Sequence, residues 1–181
     1  ISIFEKYFIE DHPVFATLFG NMGIFYSNAC KYEQAETMFL KALSIREKSS
    51  GENHPETARV ISNLASLYFK IKKIDNAEVF CLKSLEIKEK TLGTEHPDTV
   101  VSMNNLAYVY NEKQMFSEAQ SLFMKALHIR EKVLGVDHPE TAESLIGLAC
   151  SYIETGEYYK AEPMYIRAID IRLSTLGLEH P

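Results

Sequence analysis

The sequence lacks several features that would assign it to a specialised class of protein. It contains no apolar run long enough to cross a membrane, so no membrane partner is expected. Its three cysteines show no CxxC or metal-ligand spacing, which favours reduced thiols and a cytoplasmic location over a disulfide framework. Basic residues do not predominate either, and the formal net charge of −6 disfavours nucleic acid as a partner.

Catalytic and cofactor motifs are missing as well. We find no Ser-His-Asp or Cys-His arrangement, no Gly-rich phosphate loop and no conspicuous pair of carboxylates. The sequence therefore predicts neither an enzyme nor a bound cofactor. The first residues, 1–11, do not resemble a signal peptide. The chain also lacks an initiator Met, which predicts that it is a segment of a longer protein.

The sequence does contain a dipeptide that recurs at a constant interval. His-Pro returns every 42 residues, and the histidines are His12, His54, His96, His138 and His180. A constant interval indicates one structural unit copied in tandem. Counting each His as position 0, we predict one solenoid domain with repeats at 12–53, 54–95, 96–137 and 138–179, the end of a preceding repeat at 1–11, and the start of a following one at 180–181.

Apolar residues within each repeat follow the spacing of two amphipathic helices. Positions 7, 10, 11 and 14 form one apolar face, and positions 23, 26, 27, 30 and 31 form another. Pro at position 1 suits the first turn of the first helix, and Gly at position 39 suits the end of the second. The fold class is therefore predicted to be all-α, built from tandem helix-turn-helix repeats.

These positions carry a resemblance to a known family. A small residue at position 11, Tyr at 14, Ala at 23, an aromatic at 27 and Ala at 30 resemble the tetratricopeptide repeat. The longer unit, with Leu92-Gly93-Thr94-Glu95-His96-Pro97 followed by Asn104-Asn105-Leu106-Ala107, is similar to the repeats of kinesin light chains. The resemblance implies a right-handed superhelical solenoid whose concave groove binds an extended segment of another protein, as a scaffold or adaptor does.

Positions 5, 9, 12 and 16 lie opposite the apolar face of the first helix, and the resemblance places them on the concave surface. Position 9 holds Asn21, Asn63 and Asn105, although Asn within a helix costs about half a kcal/mol relative to Ala. Side-chain amides both donate and accept hydrogen bonds, so a ladder of them could hold a peptide backbone. Alternatively, each Asn bonds to the neighbouring first helix and only maintains the curvature.

The other candidate peptide-binding residues flank this ladder, and they are Ile24, Arg59, Ser66, Lys70, Val101 and Tyr108. Arg59 and Lys70 make repeat two basic, whereas the glutamates of the later repeats, Glu112, Glu143 and Glu154, make the other end acidic. We therefore expect a bound peptide to be acidic toward the repeat-two end. No metal site is expected, because the histidines of stacked repeats stand about 10 Å apart or more and are predicted to close the links between repeats.

Two other roles are compatible with the sequence. The array could serve as a sensor, spacer or self-association arm of a larger multidomain enzyme or signalling receptor. It could also self-associate through uncapped ends, because the apolar residues Met164, Tyr165, Ile169 and Leu173 partly lack a following repeat to cover them.

Overall fold

A computed structural model of the protein describes residues 12–176, which contain eight helices and no strand. The helices are α1 (Pro13–Asn28), α2 (Tyr32–Ser50), α3 (Pro55–Lys70), α4 (Ile74–Leu92), α5 (Pro97–Glu112), α6 (Phe116–Val133), α7 (Pro139–Glu154) and α8 (Tyr158–Leu176). The first four belong to a compact unit, Ile1–Gly93, and the last four to a second, Thr94–Pro181. The predicted all-α fold of tandem helices is confirmed. None of these helices combines the length and hydropathy needed to cross a membrane.

Every first helix begins at the His-Pro pair. Pro occupies the first helical turn, and the preceding His is the N-cap, as seen at His12, His54, His96 and His138. The His Nδ1 accepts the backbone N–H of position 2 at 3.1 to 3.2 Å. The imidazole thus replaces the Ser or Asp oxygen that commonly satisfies a free N–H at a helix start. The histidines therefore act locally at the joint before each first helix, as predicted.

Replacing His54 by Ala is expected to lower the free energy of unfolding by about 1 kcal/mol, because the N–H of Glu56 loses its acceptor. His54→Asp restores an acceptor at the same place and should retain most of that stability. Urea unfolding followed by far-UV circular dichroism measures both variants. Equal losses in the two variants would show that the imidazole stabilises the joint by packing and not by capping.

Two turns in each of the first three repeats have backbone with positive φ. The helices α2 and α4 end at Gly51 and Gly93, both with φ of +93°, and Gly135, two residues after α6, has φ of +103°, a region that side chains disfavour. The predicted role of these glycines is confirmed, while Gly177 lies outside the described residues. Position 18, between the two helices, is also left-handed, with φ of +56° to +76° in all four repeats. Only one of those four residues is Gly, so the sequence pattern did not reveal this turn.

The predicted apolar positions form the core of both units. The position-23 alanines are all buried, and they are Ala35, Ala77, Ala119 and Ala161. In the second unit, Phe123 of α6 packs with Ala107 of α5 and Leu148 of α7, so consecutive repeats share one core. Position 10 gives the exception, because Met22 is 41% exposed whereas Leu64 and Leu148 are buried.

Candidate functional site

The predicted binding residues are accessible on the first helices. The exposed members are Asn21, Ile24, Arg59, Ser66, Lys70 and Val101, and the half-buried members are Asn63, Asn105 and Tyr108. In the first unit, Lys70 connects this face of α3 to that of α1, because its Nζ lies 3.3 Å from Ser27 Oγ and 3.5 Å from Asn28 Oδ1. The faces of these two neighbouring first helices therefore lie side by side.

The three position-9 amides have no hydrogen-bonding partner in their own units. Among the described residues of the first unit, the side chains of Asn21 and Asn63 bond to nothing, and the same holds for Asn105 among those of the second. The alternative role, a bond to a neighbouring first helix of the same unit, is therefore not seen for Asn21 or Asn105. All three amides have some solvent exposure, so their donors and acceptors are available to a ligand.

The adjacent residue Asn104, at position 8, does bridge two first helices. It is buried, and its Nδ2 donates to Ser144 Oγ at 3.1 Å, which joins α5 to α7. Arg130 Nη1 donates to the same hydroxyl at 2.9 Å. Neighbouring asparagines in α5 thus differ in role, since Asn104 holds the repeats together and Asn105 stays without a partner in its unit.

Sequence reasoning missed a buried cation at position 34. Arg46, Lys88 and Arg130 are only 4% to 9% exposed. Arg46 Nη2 donates to Thr17 Oγ1 at 2.9 Å and lies 3.3 Å from Glu56 Oε2, so it links repeat one to repeat two. The sequence did contain a signal for this role, because a basic residue directly follows the position-33 Ile in all four repeats.

Arg130 makes the corresponding link in the second unit. Its Nη1 donates to the main-chain oxygen of Glu140 at 2.7 Å, and its Nη2 lies 3.3 Å from Glu140 Oε2. Burial lowers the pKa of Arg130, and the negative charges of Glu140 and Glu143 oppose that change. The guanidinium stays charged at neutral pH because its ordinary pKa is far above 7.

The two cations predicted to attract acidic side chains differ in their own partners. Arg59 donates to Glu56 Oε2 at 2.8 Å, and this bond is the main reason why the pKa of Glu56 is held below its ordinary value. The hydrogen-bonding partners of Lys70, Ser27 and Asn28, are both neutral. Lys70 therefore presents a charge that these partners do not balance, whereas Arg59 is already paired.

Tyr108 is anchored in the second unit. Its ring packs edge to face on Phe123 with centroids 5.0 Å apart. Burial is the main cause that raises the pKa of Tyr108 to about 12, so the phenol stays neutral at physiological pH. Repeat four has Gly147 at position 9, where an added Cβ would lie 2.3 Å from Phe123 Cε1. The Asn ladder consequently stops before repeat four.

Reactive and metal-binding groups are sparse along the described chain. Between residues 12 and 176, no three His, Cys, Asp or Glu side chains are arranged to hold a metal ion. Cys30, Cys81 and Cys150 are free thiols. Burial raises the pKa of Cys81 to about 12, so this thiol stays protonated at neutral pH. The cytoplasmic location stays a prediction.

A family model described as tetratricopeptide repeat matches residues 14–78, 58–132 and 103–174. The chain belongs to the tetratricopeptide repeat family. Tetratricopeptide repeats are generally non-catalytic and support protein-protein interaction. A comparison with curated proteins by sequence gives no match.

Solved tetratricopeptide structures extend this assignment. BtubC (BKLC) from P. vanneervenii is 25% identical with a TM-score of 0.79, over 92% of this chain and 66% of that one. A putative kinesin light chain from Podosopora anserina with nearly identical TPR-like repeats is also 25% identical, with a TM-score of 0.79. This match covers 94% of this chain and 81% of that one. The predicted similarity to kinesin light chain repeats is thereby confirmed.

A more distant structural match shows the fold alone. Aspartyl phosphate phosphatase F from Bacillus subtilis is 14% identical with a TM-score of 0.77. The match covers 90% of this chain but only 41% of the phosphatase. The tetratricopeptide fold is therefore shared with proteins whose names describe different activities.

Proposed function

We propose that these tetratricopeptide repeats bind an extended peptide segment of another protein along the first-helix face, and that Asn21, Asn63 and Asn105 hold the peptide backbone. One observation carries the proposal: the three amides are accessible and have no hydrogen-bonding partner in their own units. A polar side chain that is unfavourable in a helix and makes no internal bond has no evident role in folding.

Within the first unit, the spacing expected for Asn21 and Asn63 on neighbouring first helices suits a peptide in extended conformation. Neighbouring helices pack about 10 Å apart, which corresponds to about three residues of extended chain. An amide that both donates and accepts can pair with a backbone N–H and C=O whatever the peptide side chains are. Each hydrogen bond contributes about 1 kcal/mol, so affinity accumulates over several contacts with preformed helices.

Side chains beside the amides provide sequence preference. Lys70 offers a charge that its neutral partners do not balance, and it is the group that favours an acidic peptide residue at the repeat-two end. Toward the other end the first helices carry Glu112 and Glu154, which disfavour acidic peptide residues, whereas Glu143 is paired with Arg172. Exposed Ile24 in the first unit and Val101 in the second offer apolar surface for peptide side chains.

The double variant Asn63→Ala, Asn105→Ala tests the proposal. An array of immobilised peptides of about ten residues, with varied charge and hydrophobicity, first selects sequences that bind the wild-type protein. Removing two hydrogen bonds of about 1 kcal/mol each should weaken the selected peptides by about 30-fold, measured by fluorescence anisotropy. Unchanged affinity in a correctly folded double variant would refute the role of the amides.

The matched control is Asn53→Ala, Asn76→Ala. These two asparagines are also exposed, but they lie outside the first-helix face, one before α3 and the other in α4. The control variant should bind the selected peptides with wild-type affinity. Equal weakening in both double variants would mean that the effect does not come from the position-9 amides.

A further inference from the structure

Lysines are concentrated where the first helix of a repeat turns into the second in repeats one and two. All four are exposed, and they are Lys31, Lys70, Lys72 and Lys73. We call these four residues the basic edge. The carboxylates within two residues of them in the chain are Glu33 and Asp75. Positive charge therefore predominates in these two turns of the first unit.

The backbone of these turns does not require lysine. The residue at position 19 donates its N–H to the position-14 oxygen, at 2.8 Å for Lys31 and 2.9 Å for Lys73. The same bond has a length of 2.8 Å in both repeats of the second unit, where position 19 is Met115 and Glu157. One turn geometry thus accepts basic, neutral and acidic residues, so the turn itself does not explain the lysines.

The contacts of these side chains leave positive charge available to a ligand. Lys70 bonds to two neutral oxygen atoms of α1. Lys73 Nζ lies 5.8 Å from the centroid of the Tyr68 ring, which carries no net charge. The Lys31 side chain makes no hydrogen bond, ion pair or ring contact with the described residues of the first unit. No carboxylate of that part of the chain pairs with any of these three lysines.

The basic edge borders the face that carries the position-9 amides. Asn63 and Lys70 are seven residues apart in α3, so they lie on one side of the helix, two turns or about 10 Å apart. A peptide held at Asn63 would therefore lie alongside the basic edge, toward which its longer side chains can extend. Lys31 and Lys73 occupy the same position in neighbouring repeats, so the edge continues through both repeats of the first unit.

We infer that the basic edge selects a protein segment that carries acidic side chains along one side. This inference rests on the proposed binding of an extended peptide at the position-9 amides. Successive side chains of an extended chain point to opposite sides, so every second side chain faces the turns. Acidic residues at these alternate positions complement the lysines, which makes the basic edge a determinant of specificity.

The preference is limited to the peptide segment that lies on the first unit. In the second unit, position 16 is Glu112 and Glu154, whereas it is Lys70 in repeat two. Position 19 of the second unit is Met115 and Glu157. Acidic side chains on that segment would meet carboxylates of like charge, which disfavour them.

Peptides that differ only in the register of their charges test the inference. A peptide selected on the array receives Glu at three alternate positions or, shifted by one residue, at the three positions between them. Each is compared with the peptide that has Gln at the same positions, so that only charge differs. Fluorescence anisotropy at low salt should show about fivefold tighter binding for Glu in one register and no gain in the other. High salt should remove most of that gain.

The variant Lys31→Gln, Lys73→Gln should abolish most of the fivefold gain and leave the binding of the Gln peptide unchanged. The matched control is Lys48→Gln, Lys90→Gln. These two lysines are also exposed and occupy one position in neighbouring repeats, but they lie near the far ends of α2 and α4. The control removes the same total charge and should keep the gain.

Three results would overturn the inference. Equal gains in both registers would show attraction without specificity, and no gain in either would show that the lysines do not contact the peptide. In both cases weaker binding by Asn63→Ala, Asn105→Ala would still support the proposed function, so the two failures are distinguishable. A single-stranded RNA that binds more tightly than the acidic peptide, and does so only while Lys31 and Lys73 are present, would assign the edge to nucleic acid.

Discussion

Replacing Gly147 by Ala is expected to lower the free energy of unfolding of the second unit by about 2 kcal/mol. The new Cβ would stand 2.3 Å from Cε1 of Phe123, a ring that is fully buried between helices. Overpacking of this severity costs about 3 kcal/mol, and the better helix propensity of Ala offsets about 1 kcal/mol of that loss. Urea unfolding followed by far-UV circular dichroism measures the difference.

Gly20 provides a control with the opposite sign. It also lies inside a first helix, but among the described residues no atom beyond its chain neighbours and the nearby backbone of its own helix lies within 4 Å of a Cβ placed there. Gly20→Ala should therefore raise the free energy of unfolding by about 0.5 to 1 kcal/mol. A stabilising effect at both positions would show that Phe123 moves aside without loss, and that Gly147 is not selected by packing.

Replacing Arg130 by Ala is expected to destabilise the second unit by about 3 kcal/mol. The guanidinium is buried and bonds to Ser144 and to the main chain of Glu140, so its removal leaves both groups without that donor. Breaking a buried ion pair by deleting one partner is strongly destabilising, and the partial exposure of the Glu140 carboxylate places this case at the lower end. The same urea experiment measures it.

Arg172 occupies the same position in repeat four and serves as the matched control. Its side chain and that of its partner Glu143 are both about half exposed, since they retain 45% and 51% of their accessible surface. Exposed ion pairs contribute at most about 1 kcal/mol, so Arg172→Ala should have a small effect. Similar losses for Arg130→Ala and Arg172→Ala would contradict the assignment of the position-34 cation as a link between repeats.

The fold could be predicted from the sequence because the same local pattern occurs in four repeats. The His-Pro pairs predicted where each first helix begins, and Gly51 and Gly93 predicted where the second helices of repeats one and two end. The apolar spacing identified the faces that pack. These signals depend on neighbouring residues of one repeat, so the periodicity of the sequence shows them directly. Met22 is not explained by the sequence pattern, because its position is apolar in every repeat, yet Met22 is 41% exposed whereas Leu64 and Leu148 are buried.

The candidate site was only partly predictable. A helical wheel predicted a concave face around Asn63 and Asn105, which are half-buried, but it gave no indication that Asn104 would bridge two repeats. The role of Arg130 was missed because a charged residue is usually assigned to the protein surface. Its long side chain instead reaches between helices to the next repeat. Contacts between repeats depend on side-chain reach and crossing geometry, which spacing along one chain does not encode.

The central claim is that the position-9 amides hold the backbone of a bound peptide. The most direct test titrates wild type and Asn63→Ala, Asn105→Ala with a selected peptide whose backbone amides are replaced one at a time by esters. An ester removes one N–H donor and leaves every side chain unchanged. Esters at the residues contacted by Asn63 and Asn105 should weaken binding to the wild type by about fivefold and have no effect on the double variant, which keeps only Asn21. Equal losses in both proteins, or no loss in either, would contradict the claim.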